Sequence, residues 1–128
     1  LKKNYDYIII DSLPALKVDN IFLENSDKII IPAHGDKMTL QGIISIIKEH
    51  REKIHSIIFN KYLNTKVNRE YYKEIKEICK NSDIYISKPI KNNAFIAELI
   101  EKGKTIWESR SKKIIETQEI FKDIVRRF

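Results

Sequence analysis

The residue best placed to do chemistry in this sequence is a carboxylate at the end of a short apolar run. Tyr5-Asp6-Tyr7-Ile8-Ile9-Ile10 leads into Asp11, and Ser12-Leu13-Pro14 follows. Aromatic and β-branched residues favour a strand, and a run apolar on both faces toward its end suits one buried in a parallel sheet. Such a strand delivers its carboxylate to the carboxyl edge of the sheet. There it can orient Mg²⁺ through water beside a nucleotide, accept a phosphoryl group, or cap the next helix. A receiver-like phospho-acceptor needs a pair of acidic residues on an earlier strand, and only Asp6 precedes Asp11.

Other residue types offer less. His34, His50 and His55 lack metal-ligand spacing; His50 and His55 are five apart, not the four that place two ligands on one helix face. They read as solvated surface residues. Cys79 is the one cysteine, so no intrachain disulfide can form and a reducing compartment is expected. It falls on the apolar side of a predicted helix, as a small buried hydrophobe. No Ser-His-Asp arrangement stands out, and no catalytic residue is assigned.

The elements that must position Asp11 alternate between strand and helix. Strands are expected over residues 5–10, 28–33, 56–62 and 84–87. A short helix is expected over 18–24. A longer one opens at Thr39, with Leu40, Ile43, Ile44, Ile47 and Ile54 on one stripe. Val67, Tyr71, Ile75, Ile78 and Cys79 mark the next helix. Residues 93–102 form another, stopped by Gly103, which suits the position just past a helix end. Residues 110–128 form a terminal helix with Ile114, Phe121, Ile124, Val125 and Phe128 facing inward. This order predicts an α/β fold with a mostly parallel sheet, flanking helices and right-handed crossovers. The 128 residues fit one domain, or part of one. Ligands of such sheets sit outside the carboxyl ends of the strands, so loops 11–17, 33–38, 60–66 and 88–93 are where a site is expected.

Composition agrees with a globular chain: 42% hydrophobic and 33% charged residues, with only three Gly and three Pro. The net charge of +6 favours polyanions such as DNA and reads as modest and spread along the chain. No apolar run approaches the ~20 residues needed to span a bilayer, and no signal peptide is seen at the start. The first residue is Leu1, not Met, which leaves fragment and natural truncation both open.

The residues around Asp11 resemble the Walker B strand of the ParA/MinD (Soj-like) partition ATPases, an aromatic-Asp-Tyr-Ile-Ile-Ile-Asp run followed by a short proline loop. The resemblance continues in order. Asp27-Lys28-Ile29-Ile30-Ile31-Pro32 is similar to the family's next strand, and Leu40-Gln41-Gly42 to a Leu-Glu-Gly at the start of the following helix. Gly42 in a first helical turn is explained by close backbone approach. Ile90 to Ile106, ending Gly103-Lys104-Thr105-Ile106, resembles the family's Ile-Pro-Arg-Asn … Gly-Lys-Pro-Ile stretch, with Lys91 in place of the Pro and Asn92 in place of the Arg. The resemblance covers about residues 5 to 107 and implies the second half of a deviant-Walker P-loop NTPase.

By this resemblance Asp11 supports the Mg²⁺ of bound ATP through water, and Asn60, Ile90 and Lys91 lie on the base side. Lys102, Lys104, Arg110, Lys112, Lys113, Arg126 and Arg127 are implied contacts for nonspecific DNA. A solvated terminal-helix face is the plainer reading of the same residues. Membrane docking of the last helix is weaker, because Glu116, Glu119 and Asp123 lie among its bases. The resemblance also implies a homodimer, or pairing with an intact ParA-like subunit, a ParB-like partner, and work in plasmid or chromosome segregation in the bacterial cytoplasm or on the nucleoid. A Gly-rich phosphate loop of the Gly-Lys-Thr or Gly-Lys-Ser kind is not found, and the family's version lies upstream of its Walker B strand. ATP and Mg²⁺ are therefore expected only with that half present, and these 128 residues alone are expected not to hydrolyse ATP. The alternative is a truncated, non-catalytic ParA-like module that pairs with another subunit or binds DNA. A half-sheet would also leave a buried edge and an apolar face uncovered, so marginal stability or self-association is expected.

Overall fold

Runs of isoleucine set the sheet. The structure, a computed structural model, describes residues 4–12 and 18–128. Among these, α1 (Val18–Asn25) precedes β1 (Ile29–Ala33), α2 (Lys37–His50) and, after a 3₁₀ turn, β2 (Ile54–Phe59). Then come α3 (Lys66–Ile78), the two-residue β3 (Tyr85–Ile86), α4 (Ala94–Glu101), two further 3₁₀ turns, and α5 (Ile115–Val125). The three strands form one parallel sheet in the order β1-β2-β3. The chain is α/β, with helices flanking a parallel sheet, as the alternating pattern predicts.

One face of the sheet carries the larger core. Ile31, Ala33, Ile57 and Phe59 pack with Leu40, Ile43 and Ile47 of α2 and with Ile75 and Cys79 at α3. The other face is covered at β2 and β3 by α5, where Ile120 and Ile124 meet Ile58, Tyr85 and Ile90. Three helix starts, those of α2, α3 and α4, have a side-chain cap. Asp36 accepts from the Thr39 N–H and hydroxyl (2.9 and 2.8 Å) at α2. Thr65 accepts from Asn68 N–H at α3, and Asn93 from Phe95 N–H at α4. The Thr39 bonds hold the Asp36 carboxyl below the usual carboxylate range, so this contribution is present above the ordinary Asp pKa and fades as pH falls through the depressed value. Burial pushes the Cys79 thiol up, as its place in the core requires.

Several expectations are corrected. Residues 5–10 are not a buried strand: they pair with no strand, and Ile9 is 93% exposed. A strand needs a hydrogen-bonded neighbour, and none is offered to this run among the described residues. The loop after Ser12, including Pro14, lies outside the described residues. β1 is buried on one face only, with Ile30 and Pro32 exposed on the other, since α5 does not reach it. Ile54 opens β2 rather than closing the α2 stripe. Val67, Val125 and Phe128 are exposed, and Thr117 and Ile120 take the inward positions expected of the last helix. Residues 110–128 do not form one continuous helix; a 3₁₀ turn at Lys112–Ile114 leads into α5. His55 is not simply solvated: its Nε2–H donates to Arg127 O (2.9 Å) and its ring stacks on Phe128 at 4.2 Å.

Gly42 also differs. α2 starts two residues before Thr39, which places Gly42 in its second turn, and a Cβ built there meets nothing within 4 Å. Close backbone approach is therefore not its reason. Gly42→Ala is expected to stabilise the chain by about 0.5–1 kcal/mol, because it narrows the unfolded ensemble and fills open space. A denaturant midpoint that fell instead would show a neighbour over Gly42.

Candidate functional site

Three loops meet at the carboxyl edge of the sheet. Asn60 N–H donates to Ala33 O (2.8 Å), which ties the end of β2 to the end of β1. Ile90 N–H donates to Phe59 O (2.8 Å), Tyr62 N–H to Ile90 O (2.9 Å) and Asn92 N–H to Tyr62 O (3.0 Å). These bonds carry the parallel pairing past the strands as an isolated bridge between Tyr62 and Lys91. Loops 33–38, 60–66 and 88–93 thus form one surface, on the edge where an α/β sheet binds ligands.

Asn68, in the first turn of α3, is the side chain that joins the first two of these loops, and nothing in its sequence surroundings singles it out. Its Oδ1 accepts from Leu63 N–H (2.8 Å) and its Nδ2 donates to Gly35 O (3.3 Å). Gly35 lies so close that a Cβ on it would sit 2.5 Å from Asn68 Nδ2 and 2.6 Å from Cγ. The glycine is required by space, and Asn68 is held by its bonds from moving aside. Gly35→Ala is expected to cost about 1–3 kcal/mol, as overpacking does. Much of that loss should return in the Gly35→Ala/Asn68→Ala double variant, measured by a denaturant double-mutant cycle; strict additivity would refute the contact.

The predicted site residues fall as follows. Asn60 is half-buried; its Oδ1 accepts from Lys61 N–H (2.8 Å) and its backbone carbonyl from His34 Nδ1 (3.3 Å). Lys61 takes φ 51°, which turns the chain sharply there. Ile90 is 3% exposed and packs under α5, so only its backbone serves the edge. Lys91 is exposed and pairs with Glu116 at 2.8 Å. Asp11 is exposed in the unpaired segment before α1, and the sheet does not carry it to the edge.

The basic residues are not one patch. Lys102, Lys104, Arg110, Lys112 and Lys113 are all exposed between α4 and the start of α5. Asn93 Nδ2 donates to Lys113 O (2.9 Å), which sets that end of α5 beside the carboxyl-edge loops. Arg126 and Arg127 lie at the other end of α5, about 16 Å away at ~1.5 Å per residue. Arg127 lies 4.0 Å over the Tyr85 ring and Arg126 pairs with Asp123 at 3.6 Å. There, at the amino edge, an open depression of about 400 Å³ is lined by Lys28, Lys53, His55, Tyr85 and Arg127 among others. Its mixed charges and its place at the wrong end of the strands argue against it as the nucleotide side.

Gly103-Lys104-Thr105 has the last letters of a phosphate loop, but Glu98 stands where such a loop needs its first Gly. The structure confirms the difference. Gly103 is at φ 64°, just past α4; its N–H donates to Ile100 O (2.9 Å) and Lys104 N–H to Leu99 O (2.8 Å). This is a Schellman ending. Thr105 N–H donates to Glu108 Oε2 (2.7 Å). Backbone donors used in this way cannot also cradle a phosphate.

A family model described as an AAA domain matches residues 1–69, just over half of the chain. The chain belongs to this family of P-loop ATPases. The match takes in Asp11, β1, α2, β2 and Asn60, and ends before residues 90–106. An uncharacterized protein of Methanocaldococcus jannaschii is 33% identical over 96 residues, an alignment that takes in 63% of this chain. The chain spans only 36% of that relative's length. No solved structure matches. The parallel sheet with flanking helices is compatible with a P-loop NTPase-like fold. Among the described residues no helix is long and apolar enough to cross a membrane.

Proposed function

We propose that this chain is the carboxyl-side portion of a ParA-like ATPase for plasmid or chromosome partition, working in the cytoplasm as an ATP-dependent dimer on DNA with a ParB-like partner. The observation that carries the proposal is the match of the AAA domain across residues 1–69, which spans both Asp11 and the edge loop that begins at Asn60. Asp11 supports Mg²⁺ through water. Among the described residues no group of three or more His, Cys, Asp or Glu could hold a metal. Mg²⁺ keeps several waters and takes one or two carboxylates plus substrate phosphates, so a single exposed carboxylate is the kind of contribution it needs.

The Asn60 side chain is steadied by Lys61 N–H, so its Nδ2 donors are what it offers to a purine acceptor. Lys91, fixed by Glu116, borders the same loop, and Ile90 anchors it from the core. The phosphate loop, and with it ATP, comes from the upstream half. The second reading is a non-catalytic module that pairs with an intact subunit; it is consistent with Gly103-Lys104-Thr105 giving its backbone donors to the α4 ending and to Glu108.

ATP turnover tests the choice. The 128 residues alone should show none above a buffer blank, while the longer protein with an upstream Gly-Lys-Thr/Ser loop should turn over ATP in a manner that needs Asp11. Turnover by the short chain, abolished by Asp11→Ala, would overturn the division of labour. A longer protein that binds no ATP would support the module instead.

A further inference from the structure

Trp107 is the only tryptophan, and it is 53% exposed. A side chain of this size gains more from burial than almost any other, and here it stands half in solvent on an ordered loop among cations. The loop is ordered by three separate ties. Gln118 Nε2 on α5 donates to Ile106 O (2.7 Å) and Ser109 O (3.1 Å), on either side of Trp107. Thr105 and Glu108 form a reciprocal cap around it. Asn93 holds the carbonyl of Lys113. The indole is presented by a fixed frame.

The charge around it is also uneven. Residues 102–113 hold Lys102, Lys104, Arg110, Lys112 and Lys113 against Glu108 alone. Four of the chain's six net positive charges thus lie within twelve residues, contrary to an even spread. The Glu108 carboxylate is occupied by Thr105 N–H and hydroxyl. A further protein surface laid over Trp107 would have to desolvate these cations along with it. A polyanion with flat apolar faces would not: its phosphates would meet the lysines and its bases the indole.

We infer that the 102–113 loop binds a single-stranded stretch of nucleic acid, with Trp107 stacking on an unpaired base and Lys102, Lys104, Arg110, Lys112 and Lys113 following the backbone. This rests on the DNA-binding part of the proposed function and adds to it a base-stacking contact. Arg126 and Arg127, at the far end of α5, are not part of this surface.

The lone tryptophan reports directly. Intrinsic fluorescence of the 128-residue chain is titrated with a thymidine oligonucleotide of about 20 nucleotides, the same strand carrying a dye for anisotropy. Saturable quenching of Trp107 is expected, with affinity falling as salt rises. Trp107→Ala should weaken binding about 5- to 100-fold, while Trp107→Phe keeps most of it, because the phenyl ring still stacks. Circular dichroism should be unchanged in both, as the side chain is exposed. Anisotropy without quenching, and with Trp107→Ala binding as well as the parent, overturns the stacking contact and leaves the basic surface standing. No binding at all overturns both. A blue shift with anionic phosphatidylserine vesicles, and no response to the oligonucleotide, would make the loop a membrane contact and overturn the inference.

Discussion

Alanine in place of Phe59 is expected to lower the unfolding free energy by about 3–5 kcal/mol. The ring is fully buried at the end of the central strand. It meets Tyr72 edge-on at 5.2 Å and Tyr62 at 5.8 Å, and such aromatic pairs contribute about 0.5–1.5 kcal/mol beyond their buried area. Its backbone is equally engaged: the N–H donates to buried Ser87 Oγ (3.0 Å) and the carbonyl accepts from Ile90. Tyr72 in turn donates its hydroxyl to Ser87 O (3.1 Å), and burial raises its phenol above the ordinary range, so it stays neutral. Removing Phe59 leaves a cavity under two tyrosines and loosens the segment that carries Asn60. A domain is stable by only about 5–15 kcal/mol, so a large share is at stake. Urea unfolding would measure it, with Phe59→Leu as the milder control. A loss under about 1 kcal/mol for the alanine variant would show that β2 is not the centre of the core.

On the proposed function, Asp11→Ala in a longer protein that carries a phosphate loop is expected to slow ATP turnover by about 10- to 100-fold, the usual effect of removing a group that acts on a metal through its water shell. That is a barrier increase of about 1.4–2.7 kcal/mol. The loss should fall mainly on the chemical step, since a phosphate loop still binds nucleotide. Asp6, five residues earlier in the same run, is the internal control, and its alanine variant should differ by less than about twofold, as surface changes usually do. Equal losses at both positions would mean that the run acts as structure. An Asp11→Ala enzyme at full rate would remove the Mg²⁺ role.

The sheet was legible because its signals are local. β1, β2 and β3 are short β-branched runs bounded by loops, and α2, α3 and α4 each follow a capping residue: Asp36, Thr65 and Asn93. Gly103 marked the end of α4 for a purely conformational reason, and its φ of 64° bears that out. What failed was non-local. Residues 5–10 read as a buried strand from their own composition, but burial depends on a neighbouring strand that sequence periodicity cannot supply. Val125 and Phe128 are expected inward on a helix spanning 110–128. The buried stripe runs through Ile114, Thr117, Ile120 and Ile124, which leaves Val125 beside it on the solvent side, and Phe128 lies past the end of α5.

At the candidate site, the three edge loops followed from the strand order alone. The tie through Asn68 did not, because an Asn in the first turn of a helix carries no sign of its partner 33 residues away. The division of the basic residues by α5 was also hidden: neighbours in sequence can stand at opposite ends of a helix.

The fit of Gly35 against Asn68 bears on how this edge can change over generations. A side chain cannot be added at position 35 while asparagine remains at 68, yet losing Asn68 first leaves Leu63 N–H and Gly35 O without that partner. Either order passes through a poorer intermediate. The two positions are therefore expected to vary together or to stay fixed among relatives that keep both loops, and exchange of one loop alone between relatives should fail where exchange of the pair succeeds.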